Sequence, residues 1–87
     1  VHIGGETTKG GFAPEALDAA LAETASLGNL RVEGLMAIPP FRPDPGAARA
    51  DFRLLRELRD RALRRHPGIR ELSMGMSHDF EIAVEEG

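Results

Sequence analysis

The sequence predicts an α/β fold with parallel strands, and three observations carry that prediction. Short aliphatic and β-branched runs at 1–3, 30–38 and 69–74 each precede a stretch of helical periodicity. Each connection is long enough for a right-handed crossover, which sets neighbouring strands parallel. The run Leu35-Met36-Ala37-Ile38 is apolar without alternation, as in a strand covered on both faces. The expected order is strand–helix three times, βαβαβα, with no other internal repeat.

Val1-His2-Ile3 reads as the end of a buried strand, bounded by Gly4-Gly5. Pro14 suits a first helical turn, with Glu15 and Asp18 near its positive end. Leu17, Ala20, Leu21 and Thr24 follow helical spacing, and Gly28-Asn29 stops that helix. After the second strand, Pro39-Pro40 opens a proline-stiffened loop that ends in Asp44-Pro45, an N-cap followed by a first-turn proline. The longest helix then runs over about 46–65. Ala48, Phe52, Leu55, Leu58 and Ala62 share one face, with arginines interleaved with Glu57 and Asp60 on the others. Pro67-Gly68 breaks it before the third strand, and Phe80, Ala83 and Val84 give the last helix its expected apolar face.

Eighty-seven residues allow one small domain, whereas a whole eight-stranded α/β barrel needs roughly 200 or more. The opening at Val1 and the end at Gly87 read as cuts through a larger protein. A net charge of −3 with both signs abundant argues against a dedicated nucleic-acid binder, and the arginine-rich helix reads as a solvated outer helix. No cysteine is present, which excludes disulfides, thiolate metal sites and a cysteine nucleophile and fits a cytoplasmic protein. No apolar run approaches a membrane span.

In a parallel α/β fold ligands collect where strands end and helices begin. Three loops fall there: 4–11, 39–44 and 75–78. The first is not a P-loop, because Lys9 lacks the required preceding glycine. The third, Gly75-Met76-Ser77, carries the expected cofactor-binding residues. Gly75 admits a bulky group close to the backbone, the Ser77 hydroxyl can cap the next helix or serve an anion, and the opening turn offers unpaired N–H groups. An ordinary strand-to-helix turn uses the same residue types.

The stretch Leu72-Ser73-Met74-Gly75-Met76-Ser77-His78-Asp79 resembles the pyridoxal-phosphate homeostasis protein family, single-domain barrels similar to the N-terminal domain of alanine racemase. Two further segments resemble the same family in the same order: Gly5-Glu6-Thr7-Thr8-Lys9-Gly10-Gly11 and Gly34-Leu35-Met36-Ala37-Ile38-Pro39. The resemblance implies that residues 1–87 are about strands 5 to 7 of a (β/α)8 TIM-type barrel, with their helices. It implies pyridoxal 5′-phosphate as cofactor, with Gly75, Met76 and Ser77 in the loop after the seventh strand supplying part of the phosphate cradle. It also places the Schiff-base lysine on the family's first strand and an arginine-glycine phosphate loop on its last, both outside this chain. Lys9 is then a loop lysine and Glu6 its partner. Such proteins carry the cofactor and lack robust racemase activity. The expected partners are the missing barrel portion or a second copy meeting exposed strand edges.

Two other readings belong to different classes: part of a pyridoxal-phosphate-dependent racemase-like enzyme, and a non-catalytic α/β association module. Racemisation needs acid–base groups on both faces of the cofactor, and no clear second base is evident. His2, His66 and His78 do not follow a metal-binding pattern. Asp79 reads as a stabiliser of the helix start, and Ser73 as a group that faces the cofactor or fills a barrel layer.

Overall fold

The computed structural model describes Val1, Ile3 and residues 11–87. Two short strands, β1 (Gly34–Met36) and β2 (Glu71–Ser73), pair in parallel, with Gly34 opposite Glu71 and Met36 opposite Ser73. The 17-residue helix α2 (Arg49–Arg65) connects them and packs on both. Ahead of β1 lies α1 (Leu17–Ala25), entered through a 3-10 turn over Pro14–Ala16, and α3 (Phe80–Glu86) follows β2. This is the expected parallel βαβ arrangement over the second and third strands.

The strands are shorter than the apolar runs. Regular pairing extends only over Gly34–Met36 and Glu71–Ser73. The Glu33 carbonyl accepts both the Arg70 and Glu71 N–H groups, at 2.8 and 2.9 Å. At the other end the Ala37 N–H donates to the Ser73 carbonyl at 3.2 Å. Gly34 is required by this close approach, because a Cβ there would overlap the Glu71 carbonyl and lie 2.7 Å from the Glu71 Cβ. Of the expected first strand, His2 lies outside the described residues. Ile3 is buried in the core, and the Val1 amino group donates to the Met36 carbonyl at 2.8 Å.

The expected face of the longest helix is buried throughout: Ala48, Phe52, Leu55, Leu58 and Ala62 are each at most 5% exposed. Leu55, Leu58 and Ala62 join Leu17, Leu21, Leu35, Ala37 and Ile69 in the main cluster. Ala48 and Phe52 pack with Ala83 in a second cluster, and the half-buried Met74 touches both. Asp44 caps the entry to α2 as expected, accepting from the Gly46 N–H at 3.0 Å ahead of a 3-10 turn over Pro45–Ala48.

The last helix departs from its expected face. Ala83 is buried and Ile82 half-buried against α2, while Phe80 and Val84 are exposed. Ion pairs join α3 to α2 in this orientation. Arg49 donates to Glu85 at 2.6 Å and to Glu86 at 2.7 Å, and Arg53 reaches Glu86 at 3.3 Å. With Glu85 and Glu86 held on α2, Ala83 rather than Phe80 faces inward.

Candidate functional site

Because β1 and β2 run the same way, the segments leaving Met36 and Ser73 open at one edge of the sheet. A cavity of about 350 Å³ lies between them. Pro39, Pro40 and Phe41 line it from the loop after β1, and Gly75, Met76, His78 and Asp79 from the loop after β2. Met36, Ser73 and Phe52 complete its floor. The second and third rim loops expected from the sequence are thus brought together. In the first, Glu6 and Lys9 lie outside the described residues.

The loop after β1 is fastened to α2. The Arg42 Nε donates to Asp51 Oδ2 at 2.7 Å and its Nη2 to Oδ1 at 3.3 Å, a two-pronged pair on a carboxylate that is 8% exposed. The hydrogen bond from Asp51, and then its charge, raise the Arg42 guanidinium above its already high pKa.

The loop after β2 is shaped by Gly75 and Asp79. Gly75 takes φ +100°, and a Cβ there would stand 3.0 Å from the Ala83 Cβ and 3.4 Å from the Phe80 Cα. Glycine is therefore demanded both by backbone conformation and by the approach of α3. Asp79 is 7% exposed; its Oδ1 accepts the Met76 N–H at 2.6 Å, and its own N–H donates to the Met76 carbonyl at 3.1 Å. Its Oδ2 lies 3.5 Å from His78 Nε2. On its other side the His78 ring meets Phe41, with centroids 4.9 Å apart and planes tilted by 39°.

Of the two roles open to the Ser77 hydroxyl, capping the last helix or serving an anion, the cap is not found. Residues 77–79 form a turn, α3 begins at Phe80, and the Ser77 hydroxyl makes no hydrogen bond among the described residues. Asp79 does the stabilising work, from the N-cap position but towards Met76 rather than into the helix. Met76 consequently has its N–H engaged. Among the described residues the N–H groups of Gly75, Ser77 and His78 have no partner. Ser73, Met76 and Ser77 are exposed at the rim, whereas His66, at the end of α2, does not line the cavity.

Three contacts escaped the sequence reading. Asp79 accepts from the backbone N–H three residues before it, a local pattern open to aspartate, so this contact alone has a signal in the sequence. Arg42–Asp51 and Phe41–His78 join residues whose proximity only the fold creates. Among the described residues, no group of three or more His, Asp or Glu side chains could hold a metal ion, and no helix is long and apolar enough to cross a membrane.

A parallel βαβ core whose cavity opens on the loops at the strand C-termini defines an α/β protein of the class that binds ligands at that edge. The chain belongs to the family of the alanine racemase N-terminal domain, a barrel family, whose model matches residues 1–86. It is similar to the pyridoxal phosphate homeostasis protein of Aquifex aeolicus, 52% identical over 100% of this chain and 39% of that protein. The protein of the same name from Pseudomonas aeruginosa is 46% identical, over 100% of this chain and 36% of its own length. The chain thus spans little more than a third of the curated relatives it matches.

Among solved structures, PipY of Synechococcus elongatus, determined without PLP, superposes with a TM-score of 0.81 at 34% identity, over 94% of this chain and 39% of that one. A protein of unknown function from Bifidobacterium adolescentis gives 0.85 at 34% identity, over 95% and 34%. The family suggested by the three sequence motifs is the family found.

Proposed function

We propose that residues 1–87 correspond to about strands 5 to 7 of an alanine-racemase-N-like barrel. In the intact barrel they contribute part of the phosphate cradle for pyridoxal 5′-phosphate, in a cytoplasmic protein that manages supply of that cofactor. The observation that carries this reading is the turn at Gly75–His78. It presents the partnerless N–H groups of Gly75, Ser77 and His78 and the exposed Ser77 hydroxyl beside a cavity at the strand ends. These donors fit a phosphate, which takes hydrogen bonds from backbone N–H and hydroxyl groups. The names of the relatives support the choice of phosphate compound.

The residues divide the work. Gly75 allows the turn, Ser77 donates through N–H and hydroxyl, and Met76, tied to Asp79, holds the turn's shape. When bound, pyridoxal phosphate supplies a carbonyl that condenses with amines and a ring that withdraws electrons. The lysine that takes the carbonyl is assigned to the family's first strand, so no such role falls to Lys9. Amino-acid racemisation is the weaker reading. The titratable side chains in the described cavity lining, His78 and Asp79, are neighbours on one loop, whereas that reaction needs groups on both faces of the cofactor.

Titration of the barrel-length protein with pyridoxal phosphate, read by absorbance, tests the proposal. Ser77→Ala is expected to weaken binding by about 1–3 kcal/mol, the scale of a hydrogen bond to a charged group. Unchanged affinity in both Ser77→Ala and Gly75→Ala would remove this loop from the cofactor site.

A further inference from the structure

We propose that Phe41 is a positioning residue of the rim site, and that its ring, set against His78, fixes the loop that carries Ser77. The proposal rests on reading that loop as the phosphate cradle.

Phe41 is 75% exposed, so burial does not account for its placement. The backbone around it is nonetheless tightly constrained. Pro39 and Pro40 precede it and Pro43 follows, each with φ confined by its ring. Its neighbour Arg42 is pinned by two hydrogen bonds to the buried Asp51 of α2. This stiff segment holds an aromatic ring out over the cavity rather than into the core.

The ring meets His78 at a centroid distance of 4.9 Å, within the range of favourable aromatic pairs. His78 is bracketed on its other side by Asp79, and Asp79 takes the Met76 N–H. A continuous set of contacts therefore runs from Asp51 through Arg42, Phe41, His78 and Asp79 to Met76, across the cavity mouth. Ser77 lies between the two residues so held, Met76 and His78. Among the described residues no hydrogen bond joins segment 38–45 to segment 74–79, and the Phe41–His78 ring pair is an aromatic contact between the two rim loops.

The test uses the intact protein and two probes, pyridoxal 5′-phosphate and pyridoxal, which lacks the phosphate. Before any ligand is added, Phe41→Leu is expected to move the His78 ring-proton and Ser77 amide resonances, and Phe41→Tyr to restore them. Phe41→Leu is expected to weaken pyridoxal phosphate about two- to tenfold, the scale of one aromatic pair, and to leave pyridoxal unchanged. An unmoved Ser77 amide overturns the proposal. So does unchanged pyridoxal phosphate affinity despite moved resonances. Equal weakening of both probes also overturns it, because the ring would then touch the ligand itself. Failure of the wild type to bind pyridoxal phosphate would sink the cradle reading, while the Ser77 resonance would still decide whether Phe41 orders the loop.

Discussion

Asp79 and Met76 hold each other through two hydrogen bonds, carboxylate to Met76 N–H at 2.6 Å and Asp79 N–H to the Met76 carbonyl at 3.1 Å. The pair closes a four-residue turn over Ser77 and His78, whose own N–H groups have no partner among the described residues. A carboxylate beside the proposed phosphate site would repel the ligand, so its presence needs a structural reason. That reason is the anchoring of Met76. His78 lies against the other oxygen at 3.5 Å.

Asp79→Ala strips the Met76 N–H of its acceptor, at a cost of about 1–3 kcal/mol for a part-buried, charge-assisted bond. Asp79→Asn keeps an acceptor oxygen and is expected to recover most of that loss. Urea denaturation of the barrel-length protein measures both. Equal destabilisation by the two variants would show that the charge, not the acceptor, matters.

Ser77→Ala separates affinity from stability. An N-cap serine would contribute about 1 kcal/mol to stability. Here the hydroxyl is exposed and without a partner among the described residues, so the variant is expected to match wild-type stability within about 0.5 kcal/mol. Its effect should appear in pyridoxal phosphate affinity alone. A loss of 1 kcal/mol or more in the urea midpoint without ligand would mean that the hydroxyl does cap a backbone group.

The sequence made some of this legible and hid the rest for physical reasons. The α2 face was readable because five apolar positions at helical spacing leave one way to bury them, and all five are buried. Asp44 announced its cap by standing one residue before Pro45. The strand expected over 30–38 is shorter in the structure, since pairing is limited to Gly34–Met36 by the partner at 71–73. Ser77 stands where the sequence places a helix start, which makes a cap one of its two expected roles. The turn delays the helix to Phe80 and gives the stabilising contact to Asp79 instead. Phe80 and Val84 were placed inward by periodicity. Both are exposed, and the pairs of Arg49 and Arg53 with Glu85 and Glu86 that join this helix to α2 link residues more than thirty positions apart. Local rules do not reach that far.

The same ion pairs predict an acid-sensitive junction between α2 and α3. The hydrogen bond from Arg49, and then that from Arg53, hold the Glu86 carboxyl below its ordinary value of 4.5. A carboxyl lowered on folding contributes stability that is complete above its unfolded pKa and lost as pH falls through the folded one. The junction is therefore expected to be intact at neutral pH and to weaken progressively below 4.5. Comparing urea midpoints at about pH 6 and about pH 3 checks this, with Glu86→Gln showing a smaller difference than wild type. An identical difference in the two proteins would exclude Glu86 as the source.

The last prediction concerns residues 1–87 as an isolated polypeptide. Its paired strands are three residues each, and among the described residues β2 has a strand partner on one side only. An unpaired strand edge presents a row of N–H and carbonyl groups to other chains. Phe41, Val84 and Leu30 are 75%, 74% and 61% exposed, so apolar surface lies open as well. Among the described residues, a core of twelve buried apolar side chains, four of them alanine, has little capacity to offset the conformational entropy of the chain. Addition of a strand from a second copy would satisfy the β2 edge and cover part of that surface. The isolated polypeptide is therefore expected to dimerise or aggregate, and sedimentation velocity measures it directly. A compact monomer with a sharp, cooperative melt would show that the two small clusters around α2 suffice alone.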